Sequence, residues 1–194
     1  MESRKNKLTA SIAVLFEIIL IITMVVNGAN GSKKNVFLSF LAAICILLPF
    51  VLSRVAEIKS IELPKSFILV FLSFILAAQY FGELLRFYYR FWWWDLMLHG
   101  IFGFYTVLIG IYIIKCVVVK RHGITEKRFM LLIVVFGFCF TMTLGMLWEL
   151  FEFAGDYLVK SNMMKEGLTD TMTDLLASTS TAIVYAAVYY FRST

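Results

Sequence analysis

Charge is scarce in this 194-residue chain: 16% of its residues are Asp, Glu, Lys or Arg, against roughly 25% in an ordinary soluble domain. The hydrophobic share is 61%, against roughly 45–50%, and so short a chain has too little interior to hide the excess. A soluble globular domain is thereby excluded, and the surplus apolar surface is expected to face lipid. Cysteine is scarce too. Cys45, Cys116 and Cys139 are too far apart for a C-x-x-C element and fall inside apolar runs, which leaves disulfide and structural-zinc frameworks without support and makes them expected packing residues. Of the two prolines, Pro49 marks a kink and Pro64 a loop. There is no internal repeat, low-complexity tract, nucleophile motif or phosphate-binding loop. A basic stretch interleaved with aromatics is missing as well, so the net charge of +5 points to loop bias and anionic headgroups and excludes a nucleic-acid partner.

What the chain does have is long apolar runs. A hydrocarbon core of ~30 Å needs ~20 apolar residues in a helix, with ~17 as the lower limit. The expected fold is all-α, a single polytopic membrane bundle of six transmembrane helices over approximately 8–26, 36–52, 66–85, 97–119, 129–153 and 171–191. The runs are continuous and not alternating, which excludes a transmembrane barrel. The first run, Leu8 to Val26, follows Arg4, Lys5 and Lys7 and exceeds the ~7–15 residues of a secretory signal core, so it reads as a retained span.

Orientation follows from the cations. Arg4, Lys5, Lys7, Arg54, Lys59, Lys65, Lys115, Lys120, Arg121, Lys127, Arg128 and Arg192 share one side of a six-span layout, and Lys33, Lys34, Arg86, Arg90, Lys160 and Lys165 the other. The positive-inside rule then places both termini in the cytoplasm. The acids segregate oppositely: Glu83, Asp95, Glu149, Glu152, Asp156, Glu166, Asp170 and Asp174 gather at the outer face. Insertion does not explain this, because Asp and Glu contribute little to topology. It suggests a site.

Helical spacing sharpens that site. Asp95 and His99 stand at i, i+4, Glu149, Glu152 and Asp156 at i, i+3, i+7, and Asp170 and Asp174 at i, i+4, so each group lies on one helix face. The stripes continue with Gly103, Thr141, Gly145, Ser178 and Thr181, residues that mark helix contacts and not lipid faces. Several carboxylates cannot share a dehydrated pocket as bare anions, so something must neutralise them. A divalent cation held by Asp95, His99, Glu149, Asp170 and Asp174 does so, and oxygen donors with one imidazole suit Zn, Mn or Fe. Glu152 is the candidate catalytic base. Glu83, Arg86 and Arg90 continue a stripe from Gln79 and are candidate substrate-binding residues, Arg86 for a phosphate oxygen.

Each group also has a plainer reading. Thr171 to Asp174 resembles a capping box at a helix start, and Arg86, Arg90, Tyr88, Tyr89 and Trp92 to Trp94 resemble an interfacial belt. Glu17, halfway along the first span, is an intramembrane acid, either neutral and hydrogen-bonded to another helix or part of a proton path.

The runs Trp94-Asp95-Leu-Met-Leu-His99-Gly-Ile-Phe-Gly103, Gly145-Met-Leu-Trp-Glu149-Leu-Phe-Glu152-Phe and Asp170-Thr-Met-Thr-Asp174-Leu-Leu resemble the YjdF-like bacterial inner-membrane family. More distantly they are similar to the VanZ-like family, from whose pattern they depart at Leu96, Glu152, Ser178 and Thr179. The YjdF-like resemblance implies a bacterial plasma membrane location and supplies no reaction. The leading expectation is a multi-pass protein with an outward-facing acidic/His pocket that binds a cation and binds or acts on a lipid or cell-envelope molecule; as an enzyme it would be a metal-dependent hydrolase or transferase. A proton- or cation-coupled transporter and a structural accessory protein are the alternatives.

Overall fold

A computed structural model describes residues 2–159 and 167–193, and the side chains of 9–158 and 167–193. Lys160, Lys165 and Glu166, assigned above to the outer face, lie outside the described residues, as do the side chains of Arg4, Lys5 and Lys7. All regular structure among the described residues is helical. The chain divides into two compact units, Met1–Trp94 and Asp95–Thr194.

The first unit contains α1 (Glu2–Ala29), α2 (Lys33–Ile58), α3 (Phe67–Ile75), a π-helix (Leu76–Leu84) that continues α3, and the short α4 (Phe87–Arg90). Its core is formed by Ala13, Leu20, Ala42, Ile46, Leu72 and Ile75. These residues recur at helical spacing, so each helix turns one stripe inward. The remaining large side chains point out: Val14, Leu15, Ile18, Ile21, Ile22 and Val25 of α1 are all exposed. Helices apolar on every side, with contiguous exposed hydrocarbon, are suited to lipid and not to water. α2 runs through Pro49, which is buried in the helix interior.

The second unit is α5 (Trp93–Val117, of which all but the first two residues belong here), α6 (Glu126–Val159) and α7 (Leu168–Ser193). Val107, Ile111, Ile114, Ile133, Val134 and Ala182 form its core. Small residues bring the backbones together. A Cβ on Gly110 would lie 2.9 Å from the Cα of Gly137, and one on Gly103 would lie 2.1 Å from the Ser178 carbonyl oxygen. Hydroxyls add polar links: Thr106 Oγ1 donates to Thr141 Oγ1 at 3.0 Å, and Thr179 Oγ1 to Met142 Sδ at 3.3 Å. At the other end Lys115 donates to the Tyr189 hydroxyl and lies over its ring. The small and polar stripes expected to be helix contacts take that role at Gly103, Thr141, Ser178 and Thr181.

Among the described residues five helices are long and apolar enough to cross a membrane: Thr9–Ala29, Lys33–Ile58, Phe67–Leu84, Trp93–Val117 and Glu126–Leu158. α1, α2 and α6 overrun the expected runs at both ends, because backbone hydrogen bonding continues into polar residues there. α6 has 34 residues, or ~51 Å at 1.5 Å per residue, well beyond a ~30 Å hydrocarbon core.

Two expectations are corrected. The third span is not one regular α-helix: its second half is π-helical, and the ladder ends at Leu85 before Arg86 adopts a left-handed backbone with φ +60°. The α-helical stripe from Gln79 through Arg90 is therefore broken. Cys116 and Cys139 are exposed and only Cys45 is half-buried against a core, so two of the three thiols are not packing residues.

Replacing Gly103 by Ala should destabilise the second unit by about 1–3 kcal/mol, since the methyl overlaps the Ser178 backbone and neither helix can yield cheaply. Gly145→Ala is the control, because a Cβ there meets nothing nearer than 3.8 Å. Thermal unfolding of the detergent-solubilised protein should show a lowered midpoint for Gly103→Ala alone; equal midpoints would contradict the close approach.

Candidate functional site

Polar groups are concentrated at one end of the second unit. Asp95 lies in the first turn of α5 and His99 one turn later. Glu149 and Glu152 come from α6, and Asp170 and Asp174 from the first turns of α7. α7 begins at Leu168, so Asp174 is in the helix interior and is not a capping residue; it is 2% exposed. Glu149 is 6% and His99 9% exposed. The helices are set by the packing one turn below, where Gly103 (His99 plus four) meets Ser178 (Asp174 plus four). That close approach brings His99 and Asp174 to the same level.

The imidazole of His99 is the centre of the cluster. Its Nε2 lies 3.8 Å from Asp95 Oδ1 and 3.8 Å from Asp174 Oδ2, while its Nδ1 lies 4.0 Å from Glu149 Oε1. These separations are too long for direct hydrogen bonds. One donor atom from each of Asp95, His99 and Asp174 lies within 4.8 Å of the other two. Two ligands of one ion with bonds of ~2.0–2.2 Å come to such separations, up to about 4 Å, so a small contraction would close the set. Oδ1 of Asp174 is buried without a hydrogen-bond partner, as is the indole N–H of Trp94, while the Thr171 hydroxyl faces the buried carboxylate of Glu149. Buried polar atoms are rarely left unpartnered.

The remaining carboxylates are coupled to these. Asp174 feels the charges of Asp95, Asp170, Glu149 and Glu152, and Glu152 those of Glu149, Asp95 and Asp170. Glu152 is half-buried on α6 one turn beyond Glu149. Asp156, one turn further, is half-buried as well.

Other sequence candidates belong to the first unit. Glu17 is half-buried on the α1 face that carries Ala13 and Leu20. Glu83 and Arg86 line one cavity of about 280 Å³ together with Lys34, Asn35, Leu38 and Tyr89. Arg90 does not line it. Lys34 entered the sequence analysis only as a loop charge. The second span was expected at 36–52, so the place of Lys34 in the first turn of α2 is new, and nothing in the spacing indicates that it meets a residue some fifty positions later.

Residues 12–194 match the family described as "Predicted membrane protein (DUF2238)". An uncharacterised protein of Thermotoga maritima is 26% identical over 133 residues, which cover 69% of this chain and 66% of the relative, so the chain spans just under two thirds of that protein's length. No solved structure matches the chain.

If the clustered carboxylates repel one another, replacing one by its amide should not harm the metal-free protein. In chelator-treated, detergent-solubilised protein, Asp174→Asn and Glu149→Gln should leave the unfolding midpoint unchanged or raise it. His99→Leu, which removes the imidazole the acids surround, should lower it. A fall for Asp174→Asn as large as that for Gly103→Ala would mean that the carboxylate is an ordinary structural hydrogen-bonding group.

Proposed function

We propose, for a chain that belongs to the DUF2238 family of predicted membrane proteins, that Asp95, His99 and Asp174 hold a divalent cation serving a lipid or cell-envelope molecule in a bacterial plasma membrane. The YjdF-like motifs of the last three helices lie inside the matched stretch, which supports reading the family as that group. The observation that carries the proposal is the convergence of Asp95 and Asp174 on Nε2 of His99 at 3.8 Å each, with Oδ1 of Asp174 buried and without a partner. An imidazole offers one nitrogen to one ion. Glu149, facing Nδ1, is therefore not a fourth ligand of the same ion in this reading. On closing its 4.0 Å gap to Nδ1 it would orient the ring, as outer carboxylates do in carboxylate–histidine–metal arrangements.

Two carboxylate oxygens and one imidazole nitrogen suit Zn, Mn or Fe and leave open positions for a ligand. Such an ion supplies Lewis-acid polarisation of an ester or phosphoryl oxygen. Glu152, half-buried one turn from Glu149, is the proposed proton acceptor, and Asp170 would add to the negative field that draws a cation in. This makes a metal-dependent hydrolase or transferase the enzyme class to test.

The proposed topology is six spans with both termini in the cytoplasm. α7 supplies the sixth. Its 26 residues are long enough, and its polar residues Asp174 and Ser178 are buried while Ile183, Val184 and Val188 face outward. The acid/His cluster then opens toward the exterior.

Elemental analysis of protein purified under metal-replete conditions should find a stoichiometric transition metal in the wild type and none in His99→Ala or Asp174→Asn. Glu149→Gln should keep the metal with affinity about 10–100-fold weaker. Occupancy should fall as pH is lowered, because imidazole and carboxylates must be deprotonated to bind. A metal-free wild type would overturn the reading.

Topology has its own check. A reporter active only in the cytoplasm should signal from an insertion at Gly123 and stay silent at Gly31, two turn glycines with positive φ. The opposite pattern would invert the orientation.

A further inference from the structure

The cavity of the first unit is separate in composition from the acid/His cluster. It lies between the start of α2 at Lys33 and the end of the π-helix at Leu84, with α1 tied to the same place through Asn27. Just beyond, Tyr89, Trp92 and Trp93 are exposed, Trp92 to 83%, on the stretch that carries α4. Exposed tyrosine and tryptophan next to arginine mark the headgroup level of a bilayer. The cavity therefore opens where polar lipid groups lie.

Its lining has a definite charge pattern. Lys34 and Arg86 are cationic and exposed, Glu83 is half-buried, and Asn35 is held by donating from Nδ2 to Asn27 Oδ1 at 2.9 Å. Among the described residues no ion pair joins Glu83 to either cation, although the three line one space of about 280 Å³. Charges of opposite sign that share a cavity without pairing are poised for a ligand that carries both signs itself. The backbone is specialised here too. Arg86 takes a left-handed conformation, a strained state for a residue with a Cβ, directly after an unusually long π-helix. Gly82 leaves room for the ring of Tyr88, which a Cβ would meet at 2.3 Å. The turn that presents Arg86 is thus held by packing.

We propose that this cavity binds a phosphate ester bearing a primary ammonium group, with Lys34 and Arg86 on the phosphate and Glu83 on the ammonium. The aminoethyl phosphate headgroup of a membrane lipid has this chemistry, and so does free phosphoethanolamine. A phosphate alone would leave Glu83 facing an anion, and a quaternary ammonium would deny Glu83 an N–H donor.

Full-length protein in detergent, titrated with phosphatidylethanolamine, phosphatidylglycerol and phosphatidylcholine and read by native mass spectrometry, tests the assignment. The wild type should retain phosphatidylethanolamine over the other two. Arg86→Gly removes the guanidinium while relieving the backbone strain, and Lys34→Gln removes the second cation without touching that turn. Each should weaken retention about tenfold, the loss of one charge-assisted contact. Glu83→Gln should erase the preference for phosphatidylethanolamine over phosphatidylglycerol and leave phosphate binding in place. Free phosphoethanolamine that displaces the lipid, with the same dependence on Arg86 and Lys34, identifies a soluble ligand of the proposed class. Equal retention of the three lipids by the wild type overturns the proposal, as does undiminished retention in Lys34→Gln. Metal content is unaffected in every arm, so this outcome is independent of the acid/His centre.

Discussion

The second unit is organised around one electrostatic problem: carboxylates from three helices enclose a single imidazole in a place where water is largely excluded. A lone buried charge is costly, and several of like sign are worse, unless a partner of opposite sign completes the set. Between that end and the charged residues at their other ends, α5 and α6 are occupied by apolar side chains, glycine and hydroxyls, which ask nothing of their surroundings beyond contact. At the acid/His end the side chains face one another across 3.8 Å separations to Nε2 of His99, too long for direct hydrogen bonds.

Packing in a lipid setting explains how such a cluster is tolerated. Burying apolar side chains between helices gains little when lipid offers the same environment, so association relies on close backbone approach and hydrogen bonds. Gly110 against Gly137, Gly103 against Ser178, and the Thr106–Thr141 hydrogen bond supply both. Leu131, Leu132, Val135, Leu147 and Leu150 of α6 point outward. The chain thus inverts the usual economy of a soluble domain, with its largest side chains outside and its smallest at the contacts.

Much of this was legible from residue order. Apolar runs of the length of a bilayer identify helices whatever their partners, and i, i+4 spacing is enough to pair Asp95 with His99, because both sit on one rigid element. The same arithmetic aligned Gly103 with His99 and Ser178 with Asp174. Other features escaped it for physical reasons. A π-helix differs from an α-helix by a slip of one hydrogen bond, which leaves apolar content over Leu76–Leu84 unchanged. Asp174 resembled a cap because the helix start was placed three residues late, at 171 instead of Leu168. The side of the imidazole that Glu149 faces depends on a ring torsion, and the meeting of Lys34 with Arg86 depends on tertiary packing. Neither quantity is periodic in sequence. The exposure of Cys116 and Cys139 belongs to the same class, since an apolar run does not reveal which of its residues face lipid.

The contact of Gly103 with Ser178 carries one more implication. Backbone pressed on backbone is nearly incompressible, and this contact stands one helical turn from the gap between His99 and Asp174. In the proposed cation site it would be the fixed jaw of a caliper, the opening gauged by a residue that touches no ligand. A small ion would need only side-chain adjustment of Asp95, His99 and Asp174, whereas a wider one would have to pry α5 from α7 along their length. Discrimination by ionic size would then be written into a missing side chain.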